Sequence, residues 1–272
     1  MRIWAVANQK GGVGKSTTVV ALGGLLAQQG KRVLMVDLDP QGSLTGYFGL
    51  DPDFLEGTAF DLFQEEGVVE EIAAQIIRET NCPGLFLLPA STAQATLERR
   101  IATVEGMGLI IAKTLRMLAE DFDYVLLDNA PSLGLLMVNS LAASHRVLMP
   151  VQTEFLAIKG LERMMHTLQL VMKSQGLALP YTIIPTMFDR RTQASTQSFR
   201  ELLRLYDKAV FPYPIPIDTK FRGASLEGLA PSAYDKHTHG VRAYGRLLAF
   251  LQEPAAEQED RQRADELDAL GA

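Results

Sequence analysis

The amino-acid sequence predicts an α/β fold in which a doubly wound, mostly parallel sheet carries helices on both faces. Two observations support this prediction. Short apolar segments rich in β-branched residues and Leu alternate with longer segments of helical periodicity, which is the order expected of a parallel sheet. The 272 residues, of which 47% are hydrophobic, are sufficient for one sizeable core.

The apolar segments are predicted to be strands buried on both faces, because they form continuous apolar runs. They lie at residues 3–7, 32–36, 85–88, 124–127, 147–151 and 181–184. Helical periodicity covers residues 16–29, 92–101, 108–120, 156–174 and 195–207, and Gly30 closes the first of these helices. No repeat or linker divides the chain, so we expect a single domain over residues 1–252.

Residues 253–272 differ from the rest of the chain in composition. Acidic residues there outnumber the two arginines, Arg261 and Arg263. We expect an acidic C-terminal tail that is either a solvated helix or disordered. Its acidity argues against a membrane-anchoring helix, whose polar face is basic.

Charge and cysteine content exclude several classes of protein. The net charge of -6 argues against a general polyanion binder, so any contact with DNA requires a local basic patch. Cys82 is the single cysteine, which rules out an intrachain disulfide and fits a reducing cytoplasm. The N-terminus lacks a signal-peptide pattern, and no apolar run is long enough to span a bilayer. We therefore expect a cytoplasmic protein.

A glycine-rich segment between the first strand and the first helix predicts a phosphate-binding loop. It comprises Lys10, Gly11, Gly12, Val13, Gly14, Lys15, Ser16 and Thr17. Gln9 takes the first glycine position of the pattern G-x-x-x-x-G-K-[ST], so the loop is a variant with Lys10 added. Glycines let backbone N–H groups surround phosphate oxygens, and the helix N-terminus favours negative charge.

This loop predicts the binding of ATP with Mg²⁺. Lys15 is expected to reach the β- and γ-phosphates, Ser16 to ligate magnesium and Thr17 to contact the α-phosphate. A strand–helix turn that binds nothing is the alternative. The coincidence of two lysines, a hydroxyl residue, a preceding strand and a following helix disfavours that alternative.

Three acidic residues follow two of the predicted strands. Asp37 and Asp39 follow the strand at 32–36, and Asp128 follows the strand at 124–127. Ligands of open parallel sheets bind beyond the carboxyl ends of strands, so we expect these acids to converge on the terminal phosphate. We predict that Asp39 orients the attacking water and that Ser16, Asp37 and Asp128 hold magnesium. A helix cap or a solvated loop residue is the alternative for each acid alone.

These motifs together resemble the ParA/MinD family of deviant Walker-A ATPases, which have a P-loop NTPase fold. The resemblance covers about residues 2–251 and is carried by segments 8–17, 36–43, 128–134, 150–154 and 186–192. Two departures stand out, since Ser16 replaces the commoner Thr and Asn129-Ala130 replaces the usual Cys-Pro pair. The phosphate loop also starts so early that we expect a short ParA without a sequence-specific DNA reader.

The resemblance implies roles for individual residues. Lys10 is the signature lysine, expected to cross a dimer interface and touch the partner subunit's ATP. Loss of Asp39 is expected to trap that dimer. Asp189 and the backbone near Pro216 are expected to contact adenine, and the residues predicted to be catalytic are Lys10, Lys15 and Asp39.

The resemblance further implies an ATPase that forms a homodimer with ATP, hydrolyses ATP slowly and is stimulated by a partner protein. Such switches position a cargo, either a chromosome or plasmid partition complex or a polar assembly such as chemotaxis arrays. A MinD-like or flagellar-placement regulator is an alternative. Short ParA proteins bind DNA non-specifically, and the candidate contacts here are Arg190, Arg191, Lys220, Arg222 and Arg242. Scattered solubilising charges are the other explanation for these cations.

Two other enzyme classes use the same loop. A metabolic ligase or kinase would leave Lys10 without a role, and no acceptor-substrate motif is evident. An electron-transfer ATPase resembling the nitrogenase iron protein needs paired cluster cysteines, which Cys82 alone does not supply.

Overall fold

A seven-stranded sheet forms the centre of the computed structural model, which describes residues 1–64, 73, 75–100 and 107–269. The strand order is β3-β4-β2-β5-β1-β6-β7. Neighbouring strands are parallel except for β3 and β4. The strands are β1 (Arg2–Val6), β2 (Val33–Leu38), β3 (Arg78–Glu79), β4 (Leu85–Leu88), β5 (Tyr124–Asn129), β6 (Arg146–Gln152) and β7 (Tyr181–Thr186).

Helices connect and cover these strands. The described helices are α1 (Lys15–Gln28), α2 (Ser43–Tyr47), α3 (Ile110–Met117), α4 (Leu135–Ala143), α5 (Phe155–Gln175), α6 (Gln193–Tyr206), α7 (Lys220–Leu226), α8 (Pro231–Tyr234), α9 (His239–Leu251) and α10 (Pro254–Ala269). The hydroxyl groups of Thr192 and Thr238 cap α6 and α9 by accepting hydrogen bonds from backbone N–H groups of the first turn.

The central strands contribute side chains to two hydrophobic cores, one on each face of the sheet. In β1, Ile3 and Ala5 belong to the core that includes residues of α3, α4 and α5. Trp4 and Val6 belong to the second core, which includes residues of α1 and α9. Alternate side chains of a strand point to opposite faces, so both faces are buried. The predicted doubly wound, mostly parallel sheet is confirmed.

All six predicted strands are present, and several extend further than the apolar pattern indicates. Asp37 and Asp128 lie within β2 and β5 rather than after them, because the ladder between these strands continues through the pair Asp37–Asp128. The segment Thr92–Arg100 is a 3₁₀ helix where an α-helix is predicted, and Ile101 lies outside the described residues. Gly108 likewise lies in a 3₁₀ turn before α3.

The C-terminal segment is less solvated than its composition indicates. It forms α10, in which Asp260, Arg263 and Leu267 are buried. Asp260 accepts hydrogen bonds from Trp4 Nε1 at 2.8 Å and from Arg146 Nε at 2.7 Å. These contacts attach α10 to the middle of β1 and the start of β6. Among the described helices, none is long and apolar enough to span a bilayer.

Candidate nucleotide site

A cleft of about 430 Å³ lies beyond the carboxyl ends of β1, β2 and β5. This is the edge at which open parallel sheets place their ligands. The cleft is lined by phosphate-loop residues, by residues that follow β2 and β5, and by α7. Its lining residues are Gly11, Gly12, Gly14, Lys15, Ser16, Thr17, Asp39, Gln41, Ser43, Tyr47, Pro131, Met187, Phe221, Arg222, Ser225 and Pro231.

The phosphate loop has the open backbone that phosphate oxygens require. Gly12 and Gly14 have φ values of 72° and 91°, a backbone conformation that residues other than glycine rarely adopt. No heavy atom lies within 4 Å of a Cβ built on Gly11, Gly12 or Gly14. The space next to this backbone is therefore free, while Val13 between them is buried. A side chain at these positions would project into this open space.

Three side chains outside the loop hold it in place, and none of the three is among the predicted site residues. Asn8 donates to Pro150 O at 2.7 Å and accepts from Lys10 N at 3.0 Å. Gln152 donates to Gly12 O at 3.1 Å, and Thr186 donates to Val13 O at 2.9 Å. Gln152 and Thr186 end β6 and β7, so the sheet itself positions the loop. Only their placement at strand ends hints at this role in the sequence.

The two loop lysines lie in different environments. Lys15 is buried, its Nζ is 3.4 Å from Lys10 O, and burial lowers its pKa while Asp128 and Asp39 oppose that shift. Lys10 is partly exposed and donates to Gln152 Oε1 at 2.9 Å. Lys15 is thus enclosed in the loop, whereas Lys10 lies at its margin.

Asp37 and Asp128 face each other across adjacent strands and are fully buried. Burial raises the pKa of Asp37 to about 6. Hydrogen bonds donated by the Thr45 hydroxyl, the Thr45 N–H and the Asp39 N–H act in the opposite direction and limit this rise. The pKa of Asp128 is raised well above its usual range, mainly by burial and secondly by the charge of Asp37. The neighbouring Ser16 hydroxyl opposes part of this rise. Neither oxygen of Asp128 has a partner with hydrogen-bond geometry among the described residues.

Asp39 lines the cleft next to the loop. One carboxylate oxygen, Oδ1, accepts the N–H of Gln41 at 2.9 Å. Within the described part of the chain, Oδ2 has no hydrogen bond. The side chain is therefore held in orientation through one oxygen while the other stays available to a molecule in the cleft.

The residues of this cleft fit a magnesium–nucleotide complex. Hard oxygen donors are what Mg²⁺ prefers, and it is usually held by one or two protein groups together with phosphates and water. The Ser16 hydroxyl lines the cleft and is a donor of this kind. The oxygens of Asp128, which are buried beside Ser16 and have no hydrogen-bond partner among the described residues, are the others. The described residues contain no cluster of three His, Cys, Asp or Glu side chains that would form an all-protein metal cage. The site thus suits a cation that shares its ligands with phosphate.

Neither of the two predicted adenine contacts, Asp189 and Pro216, is among the residues that line the cleft. Phe188, which precedes Asp189 in the sequence, forms a parallel β-bridge with Pro216. Asp189 is engaged by Arg191, whose guanidinium lies 2.8 Å away and lowers the pKa of the carboxyl to about 2. Met187, two residues before Asp189, does line the cleft.

All five candidate DNA-contacting cations are exposed. Arg191 is paired with Asp189, and Lys220 Nζ lies 3.9 Å from an oxygen of Asp235. Arg190 and Arg242 form no ion pair with the described residues. Arg222 differs from the rest because it lines the nucleotide cleft.

Comparison with known proteins agrees with this geometry. Residues 1–179 match the family model of an AAA domain. The sporulation initiation inhibitor protein Soj of Bacillus subtilis (strain 168) is 34% identical over 256 residues, covering 94% of this chain and 98% of that protein. The chromosome-partitioning ATPase Soj of Treponema pallidum (strain Nichols) is 34% identical over 241 residues, covering 88% and 92%. This chain belongs to the Soj/ParA family of chromosome-partitioning ATPases. The resemblance that the motifs indicate is confirmed.

A solved structure with the same fold comes from a protein with another name. A cobyrinic acid a,c-diamide synthase of Mycobacterium smegmatis, bound to an ATP analogue and magnesium, has a TM-score of 0.78 and 34% sequence identity. The alignment covers 92% of the Soj/ParA-family chain and 93% of the synthase. The ATP analogue and magnesium in that structure agree with the ATPase activity of the family to which this chain belongs.

Proposed function

We propose that this chain is a switch ATPase that dimerises with ATP, hydrolyses it slowly and positions a cellular cargo. The observation that carries the proposal is that Asp39 and Asp128 both lie close to Lys15 of one open phosphate loop. Membership of the Soj/ParA family supports the same function. The cargo is a chromosome or plasmid partition complex or a polar assembly such as chemotaxis arrays.

The residues of the cleft and the two acids buried beside it, Asp37 and Asp128, have distinct roles in this proposal. Gly11, Gly12, Val13, Gly14 and Thr17 hold the phosphates through backbone and hydroxyl groups, and Ser16, Asp37 and Asp128 hold magnesium directly or through its waters. Magnesium, when bound, neutralises charge on the terminal phosphates. Lys15 binds the terminal phosphates, and Asp39 orients the water that attacks the γ-phosphate. The water oxygen bonds to the γ-phosphorus as the bond from this phosphorus to the bridging oxygen breaks. ADP keeps the bridging oxygen, the γ-group leaves as phosphate, and one proton is released to solvent.

Lys10 supplies the second cation of the reaction, to the partner subunit's nucleotide. It is suited to this because it lies at the margin of the loop and its present partners, Gln152 and Glu154, hold it weakly at the surface. Asp189 and Pro216 contact adenine once the nucleotide is bound. Hydrolysis then ends the contact between the two subunits.

Phosphate release measured over a range of protein concentrations tests this function. A dimerising ATPase gives a rate per molecule that rises with concentration and then saturates, without any acceptor substrate. A rate that depends on cobyrinic acid and a nitrogen donor would instead support a synthase. No turnover of ATP under any of these conditions would contradict the proposal.

DNA and a stimulating protein are the partners that the family supports. Non-specific DNA binding by the ATP dimer is expected to involve Arg190, Arg191, Lys220 and Arg242, and the protein would then associate with the nucleoid or a cell pole in the cytoplasm. Phosphate contacts give binding a steep salt dependence. A gel shift with unrelated duplexes, present only with ATP and lost at high salt, is the expected result.

A further inference from the structure

Arg222 occupies a place in the structure that its predicted role as a DNA contact does not explain. Its helix, α7, contributes Phe221, Arg222 and Ser225 to the lining of the nucleotide cleft. The same cleft is lined by Lys15 and Thr17 of the phosphate loop. Arg222 and the predicted phosphate-binding residues therefore face one ligand space.

The position of Arg222 relative to the phosphate loop is fixed by the residue before it. The ring of Phe221 stacks on Tyr244, with 6.0 Å between centroids and 26° between planes. The Tyr244 hydroxyl lies 2.9 Å from the hydroxyl of Thr18, which belongs to the first turn of α1. A chain of direct contacts thus connects α7 to the helix that follows the loop.

The guanidinium of Arg222 forms no hydrogen bond and no ion pair with the residues that the structure describes. By contrast, Arg191 is paired with Asp189, and Lys220 lies 3.9 Å from Asp235. An exposed guanidinium with free donors suits an anion that can accept two parallel hydrogen bonds.

The charges that line the cleft favour an anionic ligand. Lys15 and Arg222 are the cations among the lining residues, and Asp39 is the acid among them. This excess of positive charge occurs in a chain with a net charge of -6. It matches the phosphate chain of a nucleotide.

We propose that Arg222 binds the phosphate chain of the nucleotide, as a contact that lies outside the phosphate loop. This inference rests on the proposed function, since it assumes that the cleft binds a nucleoside di- or triphosphate. Arg222 is then a nucleotide-binding residue rather than part of the DNA surface. The planar fork of arginine matters to this contact, so lysine would replace it only in part.

Titration of fluorescent ATP and ADP analogues into Arg222→Ala, Arg222→Lys and Arg163→Ala tests the inference. Arg163 is the matched control, because it is also an exposed arginine that forms no ion pair with the described residues, and it does not line the cleft. We expect Arg222→Ala to weaken the binding of both nucleotides about tenfold, as for one lost charge-assisted hydrogen bond. We expect Arg222→Lys to recover part of this loss and Arg163→Ala to bind like wild type. Thermal melts without nucleotide establish that each variant is folded.

Two further proteins separate failure of this inference from failure of the proposed function. Wild type and Lys15→Ala are titrated in the same way. If wild type binds no nucleotide, the proposed function fails together with the inference. A second outcome is that wild type binds nucleotide, Lys15→Ala does not bind it, and Arg222→Ala binds it as well as wild type does. This outcome overturns only the inference about Arg222. Loss of DNA binding by Arg222→Ala with unchanged nucleotide affinity would likewise overturn it and return Arg222 to the DNA surface.

Discussion

Lys10 forms an ion pair with Glu154 of its own chain, with 3.3 Å between Nζ and Oε2. Gln152 accepts from the same ammonium at 2.9 Å. In the proposed dimer this ammonium leaves both partners to reach the nucleotide of the other subunit. The contacts of Lys10 within its own chain therefore compete with dimerisation.

Glu154→Gln is expected to strengthen the ATP-dependent dimer. The pair is exposed, with 31% of the Lys10 side chain and 64% of the Glu154 side chain accessible, so its loss is worth about 0.2–1 kcal/mol. Each pair lost should lower the dimer dissociation constant in ATP by about 1.4- to fivefold, and each dimer loses two pairs. Sedimentation measures this change. Glu162→Gln is the control, because Glu162 forms an exposed ion pair with Lys159 on the same helix. A weaker dimer in Glu154→Gln would show that Glu154 supports the interface instead.

Lys15→Ala is expected to reduce nucleotide affinity by at least about a hundredfold, because the terminal phosphates lose a buried, charge-assisted donor. Calorimetric titration with ATP and magnesium measures this loss. Lys31→Ala, which alters an exposed lysine paired loosely with Asp123, serves as control. Equal affinities for Lys15→Ala and wild type would refute the assignment of the loop.

Asp128→Asn is expected to stabilise the protein without nucleotide and to weaken its binding of the magnesium–nucleotide complex. Folding raises the pKa of Asp128, mainly through burial. The stabilisation that follows from protonation is present in acid and is lost as the pH rises through the raised pKa. A neutral amide should therefore add about 1–3 kcal/mol at pH 7.5 and little at pH 4.

Thermal unfolding at several pH values checks this pH dependence. Each kcal/mol should shift the melting temperature by about 2–4 °C in a chain of this size. Asp53→Asn replaces an exposed carboxylate and should behave like wild type at every pH. The same gain at pH 4 and pH 7.5 would mean that the charge of Asp128 is not the cause. Asp37, whose pKa is raised to about 6, contributes in the same direction.

Asp260→Ala is expected to destabilise the fold by about 3–5 kcal/mol, because it leaves the buried Arg146 guanidinium short of a charged partner. Denaturation followed by the fluorescence of Trp4, the single tryptophan, reports on the same contact. Glu259→Ala removes the other acid paired with Arg146, but the Glu259 side chain is 60% accessible. Its loss should cost less than about 1 kcal/mol. Equal effects of the two substitutions would contradict this difference.

The sequence predicted the fold well because local patterns determine it. Continuous apolar runs define the parallel strands, and the glycines between β1 and α1 have no better explanation than a phosphate loop. The apolar pattern ends β2 and β5 before Asp37 and Asp128, because carboxylates are not expected inside a strand that is buried on both faces. In the structure both acids lie within the ladder. That burial depends on their position in the sheet, and composition does not record it.

The remaining differences come from contacts between distant residues. Trp4 and Asp260 are 256 positions apart, so an acid-rich C-terminal pattern gave no sign that Asp260 is buried. Gln152 holds Gly12 across 140 positions. The sequence shows only the charge of Arg222 and so places it with the other candidate DNA contacts, whereas its place in the cleft depends on how Phe221 packs.

Light scattering of Asp39→Ala after size exclusion in ATP and in ADP tests the central claim most directly. Without hydrolysis the ATP-bound dimer should accumulate, so we expect twice the monomer mass in ATP with magnesium and the monomer mass in ADP. Lys15→Ala should remain a monomer in both nucleotides. The same mass for Asp39→Ala in ATP and in ADP would contradict an ATP-dependent dimer.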